Sequence, residues 1–506
     1  MIAAPGPIPK DSDMRRHTPA AALAGGVEGP DQLRYFTEVV LDAAADGACE
    51  RGGPLPQGGP EAVAARVREV WPNALPEHGT GAVEALRTLV GAVARGAADP
   101  ADPHCVAHLH CPPLAVAAAA DLAAAALNPS MDSWDQAPAA TVVEQDVTAA
   151  LAGLVYPRAA RPDALVTSGG TESNLVALLL ARERARAAGA ASLQVVCGAN
   201  AHHSVHRAAW TLGLPAPVTV GCAGGRMDPA ALERTLAGYG RATPVLVVAT
   251  AGTTDQGAID PLPELVDVAA RHGAELHVDA AYGGMLLFSE AHARRLSGLD
   301  AAVSVTLDLH KLGWQPVAAG VLAVADADVL ERLALTTDYL NADDDTEAGL
   351  PDLLGRSIRT TRRPDVLKIA VTLRALGRTG VGELVDRCVD GAEEFAQQVD
   401  QHPRLRLHPG GVGISTVLFR PVAADELAGR EGDACVADVR RKLLADGRAV
   451  LGRARAQDED GDDRLWLKAT LLNPQTTPAD LAALLKLVAD TAAAPHTTQY
   501  SVGDDR

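Results

Sequence analysis

The stretch Ser304–Gly320, SVTLDLHKLGWQPVAAG, decides how the rest of the chain is interpreted. Its first part completes an apolar, β-branched run over residues 301–307, which predicts a buried strand. The strand leads through Asp308 and His310 to Lys311, and the glycine and proline that follow break any helix. Lys311 is therefore predicted on a loop at a strand end. A lysine that forms a Schiff base is held in such a place, partly desolvated, although most lysines are only solvated surface charge.

Short apolar runs alternate with helical segments upstream of this stretch. The alternation predicts an α/β fold with a mostly parallel seven-stranded sheet covered by helices on both faces. The runs that predict its strands are 165–167, 193–198, 218–220, 245–249, 276–279, 302–307 and 320–324. Ligands of such sheets lie at the carboxyl ends of the strands. Three further motifs occupy that position.

The first motif is SGGTESN, Ser168–Asn174, between a predicted strand and a predicted helix. Gly169, Gly170 and Thr171 leave free N–H groups and a hydroxyl that converge on one point at the helix start. This geometry, with the positive end of the helix dipole, holds a phosphate dianion. Taken alone, the motif could also be a glycine-rich helix cap.

The other two motifs carry a histidine pair and an aspartate. ANAHHSVHR offers His202 or His203 to lie flat over an aromatic ring, although a helix-capping histidine fits equally well. HVDAAYGG delivers Asp279 into the cleft, where an ionised carboxylate needs a cationic partner. A protonated pyridine nitrogen would serve and would keep the ring an electron sink. The order along the chain of the phosphate-binding motif, the histidine pair, Asp279 and Lys311 predicts that the cofactor is pyridoxal 5′-phosphate.

Composition narrows the class of protein. Lysine and arginine number 45 against 64 aspartate and glutamate, a net charge of −19, which disfavours a nucleic-acid or anionic-membrane partner. No apolar run reaches the roughly 20 residues needed to span a bilayer, and the first residues lack the apolar stretch of a signal peptide. The seven cysteines are scattered without a CxxC pair, which predicts a reducing, cytoplasmic location.

A metal site is the alternative reading of the segment ADPHCVAHLHCPP. It contains His104, His108 and His110, whose imidazoles are common zinc ligands. No carboxylate lies at a ligand spacing from them, so no metal is predicted.

The chain is predicted to divide into five parts. The outer two are disordered by composition, and the middle three are a helical segment, a large cofactor-binding domain and a small α+β domain. In order, the parts are residues 1–29, 30–112, 113–376, 377–493 and 494–506.

The motifs SGGTESN, AHHSVHRA, ATAGTTDQGAID, HVDAAYGG and DLHKLGWQP, in this order, resemble the group II pyridoxal-phosphate decarboxylases. The resemblance runs from about Arg34 to Ala493 and implies fold type I. NPSMDSWDQAPAATVVE, IRTTRRPDVLK and LKATLLNPQTT are more similar to the glutamate, diaminobutyrate and lysine side of the family than to its aromatic side. The resemblance implies decarboxylation of an L-amino acid to its amine through a Lys311 Schiff base and a quinonoid intermediate.

The resemblance also implies roles for individual residues. Lys311 carries the cofactor, Asp279 contacts its ring nitrogen, and His202 and Ala281 lie against opposite faces of its ring. The cofactor's phosphate would be bound by Gly169, Gly170 and Thr171, with His310 supporting the lysine and Thr254 reaching the ring hydroxyl or the substrate carboxylate. Residues implied near the substrate are Arg363, and His110 and Trp134 from segments 106–113 and 130–136. In this family the site is built at a subunit boundary, so a homodimer is implied, with segment 130–136 lining the pocket across the interface.

Two departures from the family pattern leave questions open. Aromatic decarboxylases have an asparagine where Asp308 stands, and because an anion beside a phosphate is unfavourable, Asp308 is expected to point elsewhere. The loop over residues 340–361 lacks the tyrosine thought to reprotonate the substrate carbon, and Tyr339 lies too early to replace it. His202, a partner-chain residue and water remain candidate donors.

Decarboxylation is therefore the leading hypothesis, and two others stay open. Decarboxylation-dependent oxidation to an aldehyde is suggested by the missing loop tyrosine. A non-catalytic homologue is disfavoured because Lys311, Asp279 and His202 are intact. The few pocket aromatics and the acidic residues 343–345 lean weakly towards a cationic or aliphatic substrate, although this acidic run is more simply a solvated surface.

Overall fold

The computed structural model describes residues 21–334, 343–351, 353–427 and 429–493. Three helices precede the first strand-rich region, and the first and third pack against each other. They are α1 (Gly29–Arg51), α2 (Gly59–Val70) and α3 (Ala82–Gly96). The turn of Gly47 in α1 lies so close to α3 that a Cβ there would be 2.5 Å from the Gly91 carbonyl oxygen. The predicted helical segment is therefore present.

Strands and helices then alternate along the chain, as the apolar runs predict. The helices are α4 (Ala115–Leu127), α5 (Pro138–Val155), α6 (Gly170–Ala187), α7 (Ser204–Thr211), α8 (Pro229–Leu236) and α9 (Leu262–His272). The strands are β1 (Asp163–Thr167), β2 (Gln194–Gly198), β3 (Val218–Val220), β4 (Cys222–Ala223), β5 (Arg226–Met227), β6 (Val245–Thr250), β7 (Glu275–Ala280), β8 (Ser304–Asp308) and β9 (Gly320–Val324).

Seven of these strands form one sheet in the order β1-β9-β8-β7-β6-β2-β3. The five neighbouring strands β8, β7, β6, β2 and β3 pair in parallel. Of the seven strands, only β9 runs antiparallel to its two neighbours, β1 and β8. Apolar side chains bury both faces, with Val247, Val278 and Val305 fully enclosed. The predicted fold is confirmed: this is a mostly parallel, seven-stranded, fold type I sheet. The remaining pair, β4 and β5, forms a separate ribbon.

The carboxyl-terminal part is built on a second sheet of four antiparallel strands in the order β10-β11-β13-β12. Its strands are β10 (Leu405–Val412), β11 (Thr416–Pro421), β12 (Gly452–Gln457) and β13 (Asp463–Thr470), and its helices are α12 (Gly429–Ala445) and α13 (Pro478–Ala493). Apolar runs in the sequence predict strands here only over residues 413–419 and 465–471, which correspond to β11 and β13. β10 and β12 lack apolar runs, since β10 contains Pro409 and two glycines and β12 alternates small residues with exposed arginines.

A 35-residue helix, α11 (Val366–Asp400), joins the two sheets, after the short helix α10 (Asp343–Glu347). It contains one break, at Gly377, where φ is 67° and ψ is 178°. The break separates two helical segments, which agrees with the two helices that the sequence predicts over 364–376 and 381–399. The proposed division of the chain into five parts remains a prediction, and its first 20 and last 13 residues lie outside the described residues.

Among the described residues, no helix is both long enough and apolar enough to cross a membrane.

Candidate active site

The predicted strand-end residues meet in one cleft at the carboxyl edge of the large sheet. Most of the residues that line it lie at or just after the ends of five strands, and Leu109 and Val317 also belong to the lining. The lining groups are Ser168, Gly169, Gly170 and Thr171 after β1, His202 after β2, Thr250, Gly252 and Thr254 at the end of β6 and just after it, Asp279, Ala281 and Tyr282 at β7, and Asp308, His310 and Lys311 at β8. Residues predicted from separate motifs thus share one site.

A glycine cup forms one end of this cleft, between β1 and α6. Gly169 has φ of 151°, and a Cβ there would lie 2.9 Å from Cε1 of His310. A Cβ on Gly170 would lie 3.0 Å from the Cβ of Ala281. Both positions are tight for a side chain, and they lie at the start of the 18-residue helix α6, whose first N–H groups have no acceptor within the helix. This is the geometry that favours a phosphate group.

N–H donors hold the Asp279 carboxylate in the cleft. The Asn174 side-chain amide donates to its Oδ2 at 2.7 Å, and the Ala281 backbone N–H donates to its Oδ1 at 3.1 Å. The residue is only 5% exposed. Hydrogen bonds from neutral N–H groups hold the carboxylate in position and leave its charge available to a cation in the cleft.

Asn174 uses all of its hydrogen-bonding capacity in this network. Its second amide hydrogen goes to Ser204 Oγ at 2.9 Å, while its Oδ1 accepts from Thr306 at 2.9 Å and lies 3.0 Å from His277 Nε2. On the other side of the ring, His277 Nδ1 lies 2.8 Å from Ser304 Oγ and 3.1 Å from the Ser304 carbonyl oxygen. Complete burial lowers the pKa of His277 to about 4, so this imidazole is neutral near pH 7.

The same network fixes the tautomer of His202. Ser204 Oγ accepts from Asn174, so its own hydrogen is free to bond to His202 Nδ1, at 2.8 Å. His202 Nδ1 is then an acceptor and the ring hydrogen resides on Nε2. Burial lowers the pKa of His202, which the neighbouring Asp279 opposes only in part. His202 is therefore neutral, with its Nε2–H as its remaining donor.

Asp308 points into the cleft, which corrects the expectation that it would point elsewhere. Its Oδ2 lies 3.2 Å from Lys311 Nζ and 3.6 Å from His310 Nε2. The same oxygen is 3.2 Å from the place a Cβ would take on Gly170. Thr306 and Asp308 share one face of β8, and Thr306 contacts Asn174 on α6, so the carboxylate must face the helix start as well. Lys311 supplies the cationic partner that makes this orientation possible.

The cleft fits the phosphate and ring of pyridoxal phosphate. Two buried polar atoms beside the glycine cup, Asp308 Oδ1 and His310 Nδ1, have no hydrogen-bond partner within the protein. Buried polar atoms without partners are rare and point to a missing group. Asp279 and Lys311 line the same cleft as this cup. The donor set therefore matches a flat cofactor with a phosphate at one end and a basic nitrogen at the other.

Three residues predicted near the substrate are not in the cleft lining. Arg363 is directed to α4, where its guanidinium contacts the Asp121 carboxylate at 2.9 Å, so the structure of one protomer does not support its predicted substrate contact. His110 is exposed beside Leu109, which does line the cleft, and Trp134 is 37% exposed. Tyr339 lies outside the described residues. Substrate contacts of His110 and Trp134 stay predictions.

Sequence reasoning misses the residues that hold the site together: Asn174, Ser204, His277 and Thr306. Asn174 and Ser204 occur inside motifs that the sequence analysis quotes, and Asn174 stands one helical turn after Gly170. A polar side chain one turn after the start of a predicted helix could have indicated that Asn174 contacts the site. His277 and Thr306 are polar residues within apolar strands, and a buried polar residue needs a partner.

Among the described residues, no group of three or more histidine, cysteine, aspartate or glutamate side chains is arranged to hold a metal ion. His104 instead has its ring nitrogen 3.3 Å from the Arg448 carbonyl oxygen.

Comparison with known families gives a match over most of the chain. The model of the pyridoxal-dependent decarboxylase conserved domain matches residues 66–422. An L-2,4-diaminobutyrate decarboxylase of Rhizobium meliloti is 43% identical over 429 residues, which cover 83% of each chain. A second L-2,4-diaminobutyrate decarboxylase, from Acinetobacter baumannii, is 32% identical and covers 81% of this chain and 84% of its own.

Solved structures agree with this match. The glutamate decarboxylase domain of a diaminobutyrate-pyruvate transaminase and L-2,4-diaminobutyrate decarboxylase from Vibrio parahaemolyticus superposes with a TM-score of 0.80 at 30% identity. The superposition covers 94% of this chain and 98% of that one. Mouse CSAD has the same TM-score at 23% identity, which shows a common fold.

Proposed function

The chain belongs to the pyridoxal-dependent decarboxylase family, and from this premise we propose that it converts L-2,4-diaminobutyrate to 1,3-diaminopropane and carbon dioxide. Family membership makes it a pyridoxal-phosphate enzyme that decarboxylates an amino acid. The observation that carries the choice of substrate is the 43% identity, over 83% of the chain, to a diaminobutyrate decarboxylase. The similar match to a second enzyme of that name supports it.

The charges of the cleft support a substrate with a cationic side chain. No arginine is among the described residues that line it, and its one lysine, Lys311, is reserved for the cofactor. A decarboxylase for aspartate or glutamate needs a cation to pair with the side-chain carboxylate. A diamino acid needs none, which agrees with a cleft whose described lining offers no cation beyond Lys311.

The residues that would hold the cofactor follow from the geometry of the cleft. Gly169, Gly170 and Thr171 would bind the phosphate through backbone N–H groups and the threonine hydroxyl. Lys311 Nζ would hold the cofactor covalently, supported by His310. When bound, the cofactor supplies an electron sink for the pair released as the bond from Cα to the carboxylate breaks.

The remaining cleft residues would orient the ring and substrate. Asp279, fixed by Asn174, would keep a proton on the ring nitrogen because a buried anion stabilises the neighbouring positive charge. His202 and Ala281 would enclose the ring from opposite sides, and Thr254 would contact the ring hydroxyl or the substrate carboxylate. Arg363 would reach the substrate only by leaving Asp121 or by acting in a partner's site.

Three proton donors for the substrate carbon were left open by the sequence, and the tautomer of His202 supports one of them. Because Ser204 hydrogen-bonds to Nδ1, the imidazole keeps its proton on Nε2. The neutral imidazole would first take a second proton from water and then donate it in the cleft, because loss of the Nε2 hydrogen alone would leave a strongly basic anion.

We also propose a homodimer and a cytoplasmic location. Large apolar side chains are exposed on α4, on the turn that follows it and on α5, including Leu127 at 73%, Trp134 at 37% and Val142 at 53%. Exposed apolar side chains concentrated on neighbouring elements are typical of a subunit interface. The seven cysteines are all free thiols, which supports a reducing compartment.

The test is a product assay of the pyridoxal-phosphate-loaded enzyme with L-2,4-diaminobutyrate, L-ornithine, L-aspartate and L-glutamate. We expect carbon dioxide and 1,3-diaminopropane in equal amounts from diaminobutyrate and much less product from the others. Lys311→Ala should abolish turnover, while Lys486→Ala, at a 76% exposed lysine on α13, should leave it unchanged. Preferential turnover of aspartate or glutamate would overturn the substrate proposal and leave the family reaction intact.

The same assay separates the oxidative alternative. Formation of an aldehyde would consume oxygen and release ammonia in step with carbon dioxide. The relatives named above are decarboxylases, so the comparisons favour simple decarboxylation. Oxygen uptake equal to carbon dioxide release would reverse that preference.

A further inference from the structure

Asp308 occupies an unusual position for an acidic residue, between the glycine cup and Lys311. It is 2% exposed, at the carboxyl end of β8. Its Oδ2 lies 3.2 Å from Lys311 Nζ, and its Oδ1, buried without a partner, is 3.6 Å from the place a Cβ would take on Gly169. Any group that fills the cup with a phosphate must therefore lie against this carboxyl group.

An ionised carboxylate and a phosphate dianion repel each other strongly when both are buried. Two acidic groups in contact relieve this repulsion by sharing a proton, as paired carboxylates do. The phosphate of a pyridoxal-type ligand is mostly dianionic above about pH 7. The carboxyl group and the phosphate must then hold one proton between them.

The groups that face Asp308 leave it little compensating positive charge. Lys311 Nζ is the nearby ammonium, 3.2 Å from Asp308, and its single positive charge offsets only one of the three negative charges that a carboxylate and a phosphate dianion bring together. His310 is at 3.6 Å, but burial lowers the pKa of its imidazole. His202 is neutral for the same reason, and Asp279, across the cleft, adds negative charge.

We propose that Asp308 and the phosphate share one proton in a hydrogen bond in the cofactor-loaded enzyme, so that phosphate binding retains one proton in the site. The source of that proton is within reach, because the Lys311 ammonium must lose a proton before its nitrogen can bond to an aldehyde carbon. Transfer over 3.2 Å gives a neutral amine and a neutral carboxylic acid together. The proposal rests on cofactor binding alone, so it stands or falls independently of the diaminobutyrate assignment.

The test is a binding titration that needs no turnover. Cofactor-free wild type and Asp308→Asn are titrated with pyridoxamine 5′-phosphate, which cannot form a covalent bond with Lys311, from about pH 7 to about pH 9. Asparagine offers an N–H donor without first binding a proton. We expect Kd of the wild type to rise about tenfold more per pH unit than Kd of Asp308→Asn.

Unphosphorylated pyridoxamine is the matched control ligand. With it, the pH dependence of wild type and variant should be the same, because the phosphate is what requires the proton. Parallel pH dependence of both proteins with the phosphorylated ligand would overturn the proposal. A variant that binds the phosphorylated ligand more weakly by the same factor at every pH would also overturn it, since Asp308 would then act without titrating.

A second measurement uses the wild type alone and remains decisive if the variant does not fold. Calorimetric titrations at about pH 8 in two buffers of different ionisation enthalpy give the number of protons bound with the ligand. We expect about one more proton to be taken up with pyridoxamine 5′-phosphate than with pyridoxamine. Equal proton uptake would show that Asp308 stays ionised.

Discussion

At the scale of single residues, the site depends on Asn174 as much as on the residues that face the cleft. This side chain joins α6 to β7, β8 and α7 through Asp279, Thr306, His277 and Ser204. Each contact is between buried polar atoms, so removal of one partner would leave others unsatisfied. The orientation of Asp279 and the tautomer of His202 are consequences of the same side chain.

His277 provides a residue-scale prediction about pH. Burial lowers its pKa to about 4 from an ordinary value of 6.5, so between these values the unfolded chain binds a proton that the folded chain does not. The free energy of unfolding should therefore fall as pH falls through this window, by up to about 1.4 kcal/mol per unit. Denaturant unfolding of the cofactor-free protein between about pH 7 and about pH 5 measures it.

Two variants isolate the contribution of His277. His277→Gln cannot be protonated, so the decline in stability towards low pH should be shallower than in wild type. His78→Gln, at an exposed histidine, should keep the wild-type slope. Identical slopes for wild type and His277→Gln would contradict the assignment of a neutral buried imidazole.

At the scale of secondary-structure elements, the strand-to-helix connections bring the site together. Parallel strands β2, β6, β7 and β8 end at the same edge of the sheet, so the residue after each strand reaches one cleft. The antiparallel β9 fills the gap between β1 and β8. A Cβ on Gly320 of β9 would lie 2.5 Å from the Gly169 backbone. The absence of a side chain at Gly320 therefore lets β9 approach the glycine cup closely.

The kink in α11 gives a prediction at this scale. Gly377 has a positive φ of 67°, and a Cβ there would meet no atom within 4 Å, so Gly377→Ala acts on the backbone alone. We expect this change to lower the free energy of unfolding by about 1–2 kcal/mol. Gly391→Ala, in a regular turn of the same helix and equally uncrowded, should raise it by up to about 1 kcal/mol.

Chemical denaturation of both variants beside wild type measures the difference. The opposite signs matter more than the sizes, because both substitutions add the same methyl group. Equal effects at the two glycines would mean that the break at Gly377 is not a required feature of α11.

At the scale of the whole molecule, one protomer does not complete the predicted pocket. His110 and Trp134 are exposed, and Arg363 contacts Asp121 away from the cleft. The apolar side chains exposed along α4 and α5 lie beside Trp134 in the sequence. A partner subunit that covers this surface would bring segment 130–136 towards a second cleft.

Subunit mixing tests this arrangement. Lys311→Ala and Trp134→Ala are each expected to be nearly inactive, the second because its partner's pocket loses an apolar wall. If Trp134 acts across the interface, random mixing of the two variants restores about a quarter of the wild-type sites, since half of the dimers gain one intact site. If Trp134 serves its own protomer, mixed dimers contain no intact site and activity stays at the level of the parents.

The sequence by itself determined the fold class and the strand-end residues that line the cleft. Strand-sized apolar runs predicted all seven strands of the large sheet, because a parallel sheet buried on both faces requires such runs. The chain order of the motifs then placed Gly169, His202, Asp279 and Lys311 at one sheet edge. The four-stranded sheet was only half predicted, since β10 and β12 lack the apolar run that identifies a buried strand.

The tertiary structure alone decided how these side chains face one another. Asn174 meets Asp279 and Thr306 across separations of 105 and 132 residues, which depend on the strand order and register of the folded sheet. The direction of Asp308 was open for a related reason. Every residue of β8 is buried, so no alternation of polar and apolar residues distinguishes its two faces. Only packing against α6 turned Asp308 towards the glycine cup.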